Sequence, residues 1–177
     1  MRNKSCAFTG HRPHKLPWKY DETDSRCIRL KMALTEQITV LMENGVTRFF
    51  SGMAEGTDCW AARAVLDLRI EHPELELHCV LPCEGQADKW EVSSQEQYQA
   101  ILKQADSVAY VSREYHKNCM LDRNRRLVDS ASFLLAVYNG EWRGGTAATV
   151  RYARKLGRKI IILDPASCQV SREGFKQ

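Results

Sequence analysis

Short runs of β-branched or aromatic residues alternate along the chain with longer stretches whose apolar positions recur at helical spacing. That alternation predicts βα units around a parallel sheet. The first strand reads Ser5-Cys6-Ala7-Phe8-Thr9 and stops at Gly10. Over residues 24–44, Ile28, Met32, Leu34, Ile38, Leu41 and Met42 recur at helical spacing, closed by Asn44-Gly45. A second strand over 48–51 ends at Gly52 and leads into a helix starting near Thr57-Asp58, with Trp60, Ala61, Ala64, Val65 and Leu68 as its buried stripe. Further strands are expected over 75–81, 107–111, 133–138 and 159–163, and further helices over 95–104, 121–129 and 147–156. The pattern is that of an α/β protein with a Rossmann-like, three-layer doubly wound, mainly parallel sheet of about six strands. A chain of 177 residues without a Pro/Gly/Ser-rich linker is expected to form a single domain over 1–177. Its core should cover about 4–165, followed by a loosely ordered polar tail over 166–177.

Composition narrows the class without naming a partner. Apolar residues make up 44% and charged residues 27%, as in ordinary globular proteins. The net charge of +4 is small and its Lys and Arg are spread along the chain, which argues against a nucleic-acid partner. No apolar run approaches the ~20 residues needed to cross a bilayer. The N-terminal segment has no signal-peptide core, so no membrane partner is expected. Seven scattered cysteines fit reduced thiols and a cytoplasmic location better than a disulfide framework, and no ligand spacing suggests a metal.

In open α/β sheets ligands lie beyond the carboxyl ends of the strands, so the residues after each strand carry the candidate chemistry. Three of these loops stand out. Thr9-Gly10-His11-Arg12-Pro13 offers a sharp turn beside a hydroxyl, an imidazole and a guanidinium, a set suited to an anion. Ser51-Gly52-Met53-Ala54-Glu55-Gly56-Thr57-Asp58 opens a helix, whose unpaired amides and positive dipole end make a phosphate site; Asp58 is read first as a helix cap. Neither a dinucleotide fingerprint nor a P-loop is present there. Asn139-Gly140-Glu141-Trp142-Arg143-Gly144-Gly145-Thr146 lies before another helix, where Gly144, Gly145 and Thr146 can wrap a phosphate or ribose. The cluster Arg123-Asn124-Arg125-Arg126 falls near a helix start, where cations oppose the dipole, and that placement favours a ligand role for the cluster, with a solvated face as the alternative. Trp90 and Trp142 are candidates to stack on a base, while His14, His72, His78 and His116 read as structural or surface residues.

On these residues the chain resembles the YpsA-like branch of the SLOG superfamily, which also holds the Smf/DprA proteins and the LOG-type phosphoribohydrolases. The resemblance rests on Phe8-Thr9-Gly10-His11-Arg12-Pro13, on residues 51–58 and on Gly144-Gly145-Thr146, and spans roughly 5–165. It implies a Rossmann-like fold and a nucleotide-derived ligand at the strand ends. LOG-type enzymes carry an Arg-Lys pair and a Pro-Gly-Gly-x-Gly-Thr-x-x-Glu loop. Here Arg123 is the nearest match to the Arg, Asn124 replaces the Lys, and Thr149 stands where the Glu belongs.

Three functions follow as expectations. The leading one is non-catalytic binding of a nucleotide or nucleotide-derived phosphorylated molecule, with NAD or an ADP-ribose-like compound as candidate ligands and a homo-oligomer left open. The ligand-binding set is Thr9, Gly10, His11, Arg12, Ser51, Gly52, Met53, Gly56, Thr57, Asp58, Arg123, Gly144, Gly145 and Thr146; no catalytic residue is assigned. Gly56→Val or Gly145→Val is expected to abolish binding without unfolding the protein. The second function is N-glycosidic hydrolysis of nucleoside monophosphates, with Glu55 or Glu141 as the acid. The third is single-stranded DNA binding of the DprA kind.

Overall fold

The computed structural model describes residues 4–175. Strand β1 (Ser5–Gly10) leads through a 3-10 turn (Pro13–Lys15) into α1 (Ser25–Glu43); β2 (Arg48–Ser51), α2 (Thr57–Leu68), β3 (Glu76–Leu81), α3 (Val92–Gln104) and β4 (Ser107–Tyr110) follow. Next come α4 (Cys119–Ser130), β5 (Phe133–Val137), α5 (Gly145–Lys155), β6 (Lys159–Leu163) and β7 (Val170–Glu173). The strands form one sheet in the order β4-β3-β2-β1-β5-β6-β7, parallel except for the last pair. The chain winds outward from β1 to β4, then returns across the sheet to β5 on the other side of β1. The carboxyl ends of β1 and β5 diverge into opposite crossovers there, the switch point at which this architecture leaves a crevice.

Alternation along β1 shows how two cores arise from one sheet. Cys6 and Phe8 pack with Leu30, Leu34 and Ile38 of α1 and with Ala61 and Val65 of α2. Ala7 faces the other way, toward Leu127 and Val128 of α4 and Ala147 and Val150 of α5. Successive strand side chains point to opposite faces, so a strand buried on both sides reads as an unbroken apolar run. The three layers are thus α1, α2 and α3, then the sheet, then α4 and α5.

The expected elements are present within a few residues, with three corrections. There are seven strands: the polar tail turns at Asp164, whose Oδ1 accepts from the amides of Ala166 and Ser167, and returns as β7 against β6. Arg154 holds Glu173 through two bonds of 2.8 Å, and Arg172 reaches Gln37 of α1, so tertiary pairing orders a segment with little apolar signal. Helix α5 starts at Gly145, which places Gly145 and Thr146 inside its first turn and not in the loop before it. Arg123 lies in the second turn of α4, one turn beyond the helix start. Among the described residues no helix is long and apolar enough to cross a membrane.

Candidate functional site

A cleft of about 290 Å³ opens at the carboxyl ends of β1 and β5. From the β1 loop come Thr9, Gly10, His11, Arg12, His14 and Lys15. From α2 and the loop before it come Ala54 and Asp58, and from α4 Met120, Arg123 and Asn124. The opposite wall is Arg143, Gly144, Gly145 and Thr146. Arg12, Lys15, Arg123 and Arg143 bring four cations to it against one lining carboxylate, a balance that attracts anions. Lys15 is shared with Glu141 at 3.1 Å, in an exposed pair of little strength. At the mouth Gly144 is the N-cap of α5 with φ 103° and no side-chain hydrogen bond to the helix. The first amides of α5 therefore lack helical acceptors, and the positive end of the dipole faces the cleft.

Nine of the expected ligand residues line this cleft: Thr9, Gly10, His11, Arg12, Asp58, Arg123, Gly144, Gly145 and Thr146. The other five stand behind it as structure. Ser51 accepts from the Met53 amide and donates to the Asp58 carbonyl, and Met53 is fully buried with φ 54°, a conformation that β-carbon residues seldom adopt. The Gly52 carbonyl accepts from Arg123 Nη1, and a β-carbon on Gly52 would overlap that guanidinium. Thr57 donates to the His11 carbonyl at 3.1 Å, tying α2 to the β1 loop. Gly56 has φ 91° and packs on Pro13, where a β-carbon would sit 2.8 Å from Cδ. Gly56 is thus required by packing, and Gly56→Val would damage the fold, contrary to the expectation for it. Gly145 differs, since a β-carbon there meets only Asn124 Nδ2 at 3.8 Å.

Helical periodicity splits the arginine cluster. Arg123 points inward and is 3% exposed, whereas Arg125 pairs with Asp122 and Arg126 reaches the Tyr110 carbonyl on the exposed side. Arg123 Nε donates to Asn124 Oδ1 at 2.7 Å, and Nη1 stands 4.0 Å from Asp58 Oδ2. Asp58 does not cap α2, whose N-cap is Gly56; its Oδ2 instead accepts from the Ala54 amide at 3.3 Å. Burial pushes the Asp58 carboxyl above its ordinary range against the opposing pull of Arg123, and burial likewise lowers Arg123. Burial also lowers His11, whose Nε2 lies 2.9 Å from Asn139 Oδ1 and 3.2 Å from the Asn139 amide. Nε2 donates to the first when it carries a proton and accepts from the second when it does not.

The remaining candidates fall elsewhere. Thr149 is buried and donates to the Gly145 carbonyl at 2.8 Å, within its own helix. Glu141 is held below the usual carboxylate range by Asn139 and Lys15, and neither it nor Glu55 lines the cleft. Trp90 packs edge-on against Tyr98, while Trp142 is 77% exposed with Arg151 over its ring. His14, expected to be incidental, lines the cleft, as do Lys15, Ala54, Met120, Asn124 and Arg143, which lie outside the expected ligand set. The 12–15 step after Gly10 and the arginine beside Gly144 were the available signals.

Comparison with known proteins agrees with this fold. The profile of the YspA SLOG family matches residues 6–162. A UPF0398 protein of Bacillus thuringiensis is 32% identical over 157 residues, covering 87% of this chain and 84% of its own. Another, from Bacillus velezensis, is 29% identical over 180 residues, covering 97% and 98%. DNA processing protein A from Helicobacter pylori, whose structure addresses its single-stranded DNA binding mode, aligns with TM-score 0.63 at 17% identity. The same protein from Streptococcus pneumoniae aligns with TM-score 0.59 at 17% identity. Each alignment covers 92% of this chain, which spans only 66% and 53% of those two structures, and at such identity they speak to the fold alone. The match over almost the whole sheet makes this chain a member of the YpsA (YspA SLOG) family.

Proposed function

We propose that the cleft between β1 and β5 binds a nucleotide or nucleotide-derived phosphorylated molecule and that the protein acts by binding it, without turnover. The observation that carries this reading is that Arg12, Arg123 and Arg143 line the same cleft as the uncapped N-terminus of α5. Fixed amides and buried cationic charge in one cleft favour a phosphate over other anions. Against turnover stands the absence of a free lining carboxylate at position 149, where threonine is bonded to its own helix. NAD and ADP-ribose belong to the same chemical class and are the proposed alternatives to a mononucleotide. Seven free thiols, six of them buried, fit a reducing cytoplasm as the place of action.

Titration calorimetry of the purified protein with AMP, NAD and ADP-ribose tests the proposal. Saturable binding that weakens in Arg143→Ala is the expected result. No heat from any of the three would overturn it. Release of free base from AMP at high protein concentration would replace it with the hydrolase. A steeply salt-dependent affinity for single-stranded DNA, without nucleotide binding, would replace it with the DprA-like reading.

A further inference from the structure

The cleft has chemically unlike ends. At one stand Gly144 and Gly145, which offer amides and no side-chain acceptor. Gly145 adjoins Asn124, Asn124 Oδ1 accepts from Arg123, and Arg123 reaches Asp58, so these contacts run from the amide end to a carboxylate. Asp58 is 5% exposed, and its Oδ2 is occupied by the Ala54 amide. Oδ1 accepts no hydrogen bond from any described residue, yet the residue lines the cleft. A buried carboxylate repels phosphate, so a ligand spanning both ends must present hydrogen-bond donors, not oxyanions, at Asp58. The lining holds no Trp, Tyr or Phe; its aromatic rings are the imidazoles of His11 and His14. The interior therefore suits a sugar phosphate, with any base at the mouth.

We infer that Asp58 reads the vicinal hydroxyls of a ribose phosphate, making the cleft selective for ribo- over 2-deoxyribo-configured ligands. This rests on the proposal that the cleft binds a phosphorylated molecule, and it adds the part of that molecule being recognised. A carboxylate oxygen accepts a hydroxyl donor through a charge-assisted bond, and an analogue lacking that hydroxyl leaves the oxygen desolvated and unpaired. Burial pushes the Asp58 pKa upward, and such donors oppose that push by favouring its charged form.

Calorimetry with ribose 5-phosphate, 2-deoxyribose 5-phosphate and inorganic phosphate decides the matter without any base present. The wild-type protein should bind ribose 5-phosphate at least about tenfold more tightly than the deoxy compound. In Asp58→Asn that ratio should fall below about threefold, while affinity for inorganic phosphate holds or rises because a negative charge has left the cleft. Equal binding of the two sugars by wild type, or an undiminished ratio in the variant, overturns the inference and leaves the phosphate site standing. Failure of all three compounds to bind overturns both. Should Asp58→Asn not fold, the wild-type ratio alone still decides.

Discussion

Arg123→Met removes the cation from a buried pair while keeping most of the side-chain volume, and its consequence depends on what remains behind. The Gly52 carbonyl keeps a partner in Gln86 Nε2 at 3.3 Å, so the principal loss is at Asp58. Removing one partner of a buried ion pair destabilises by about 3–5 kcal/mol, chiefly through the charge left uncompensated. At about 2–4 °C per kcal/mol for a chain of this size, the melting temperature should fall by something on the order of 6–20 °C at pH 7. The loss should depend on pH in a set direction. The folded-state pKa of Asp58 already lies above its unfolded value, so folding takes up a proton and stability declines as pH rises through that interval. Without Arg123 the interval widens upward, and the penalty should be smaller at pH 5 than at pH 7, because protonation relieves the uncompensated charge. Asp58→Asn placed in the Arg123→Met background should recover about 1–3 kcal/mol, a coupling typical of residues in direct contact. Thermal and urea unfolding followed by circular dichroism at the two pH values measures all of this. A loss independent of pH, together with no recovery in the double variant, would refute the account of Arg123 as the counter-charge to Asp58.

Two further outcomes separate structural from ligand-binding residues. Gly56→Val forces a branched side chain onto φ 91° against Pro13 and should lower the melting temperature markedly, whereas a β-carbon at Gly145 makes only an ordinary contact with Asn124, so Gly145→Val should melt like wild type while losing AMP binding; calorimetry paired with melting checks both. His11 is buried with its folded pKa below the unfolded value, so the unfolded chain binds a proton that the folded one resists, and stability is lost as pH falls below about 6.5. The melting-temperature difference between wild type and His11→Gln should accordingly narrow between pH 7.5 and pH 5.5, and a constant difference would show that His11 is not the titrating group.

Much of this protein was legible in the order of its residues because the relevant signals are local. Cys6-Ala7-Phe8 is apolar on both sides, which suits a strand covered twice, and the period of Leu34, Ile38 and Leu41 places one face of α1 on the sheet. The glycine loops after β1, β2 and β5 could be read as strand-to-helix junctions for the same reason, since turn chemistry belongs to a few neighbouring residues. Which of those loops touches a ligand was not local. Loop composition is alike at Gly56 and Gly145, yet one glycine is packed under Pro13 and the other is exposed with only an ordinary contact to Asn124, a distinction set by what the 3-10 turn does after Gly10. Arg123 and Arg126 look equivalent in a basic run, and only the phase of α4 against the sheet sends the first beneath Gly52 and the second to the surface. Strand β7 likewise owes its existence to the edge of β6, because four residues with one apolar side chain do not specify a strand without a partner to complete the ladder. Sequence thus determined six of the strands and the helices between them, since those follow from backbone periodicity, although Ile28 and Met32, read with the apolar positions of α1, are exposed. Tertiary structure alone decided which charges share a low-dielectric cleft, since that depends on distances between residues far apart along the chain.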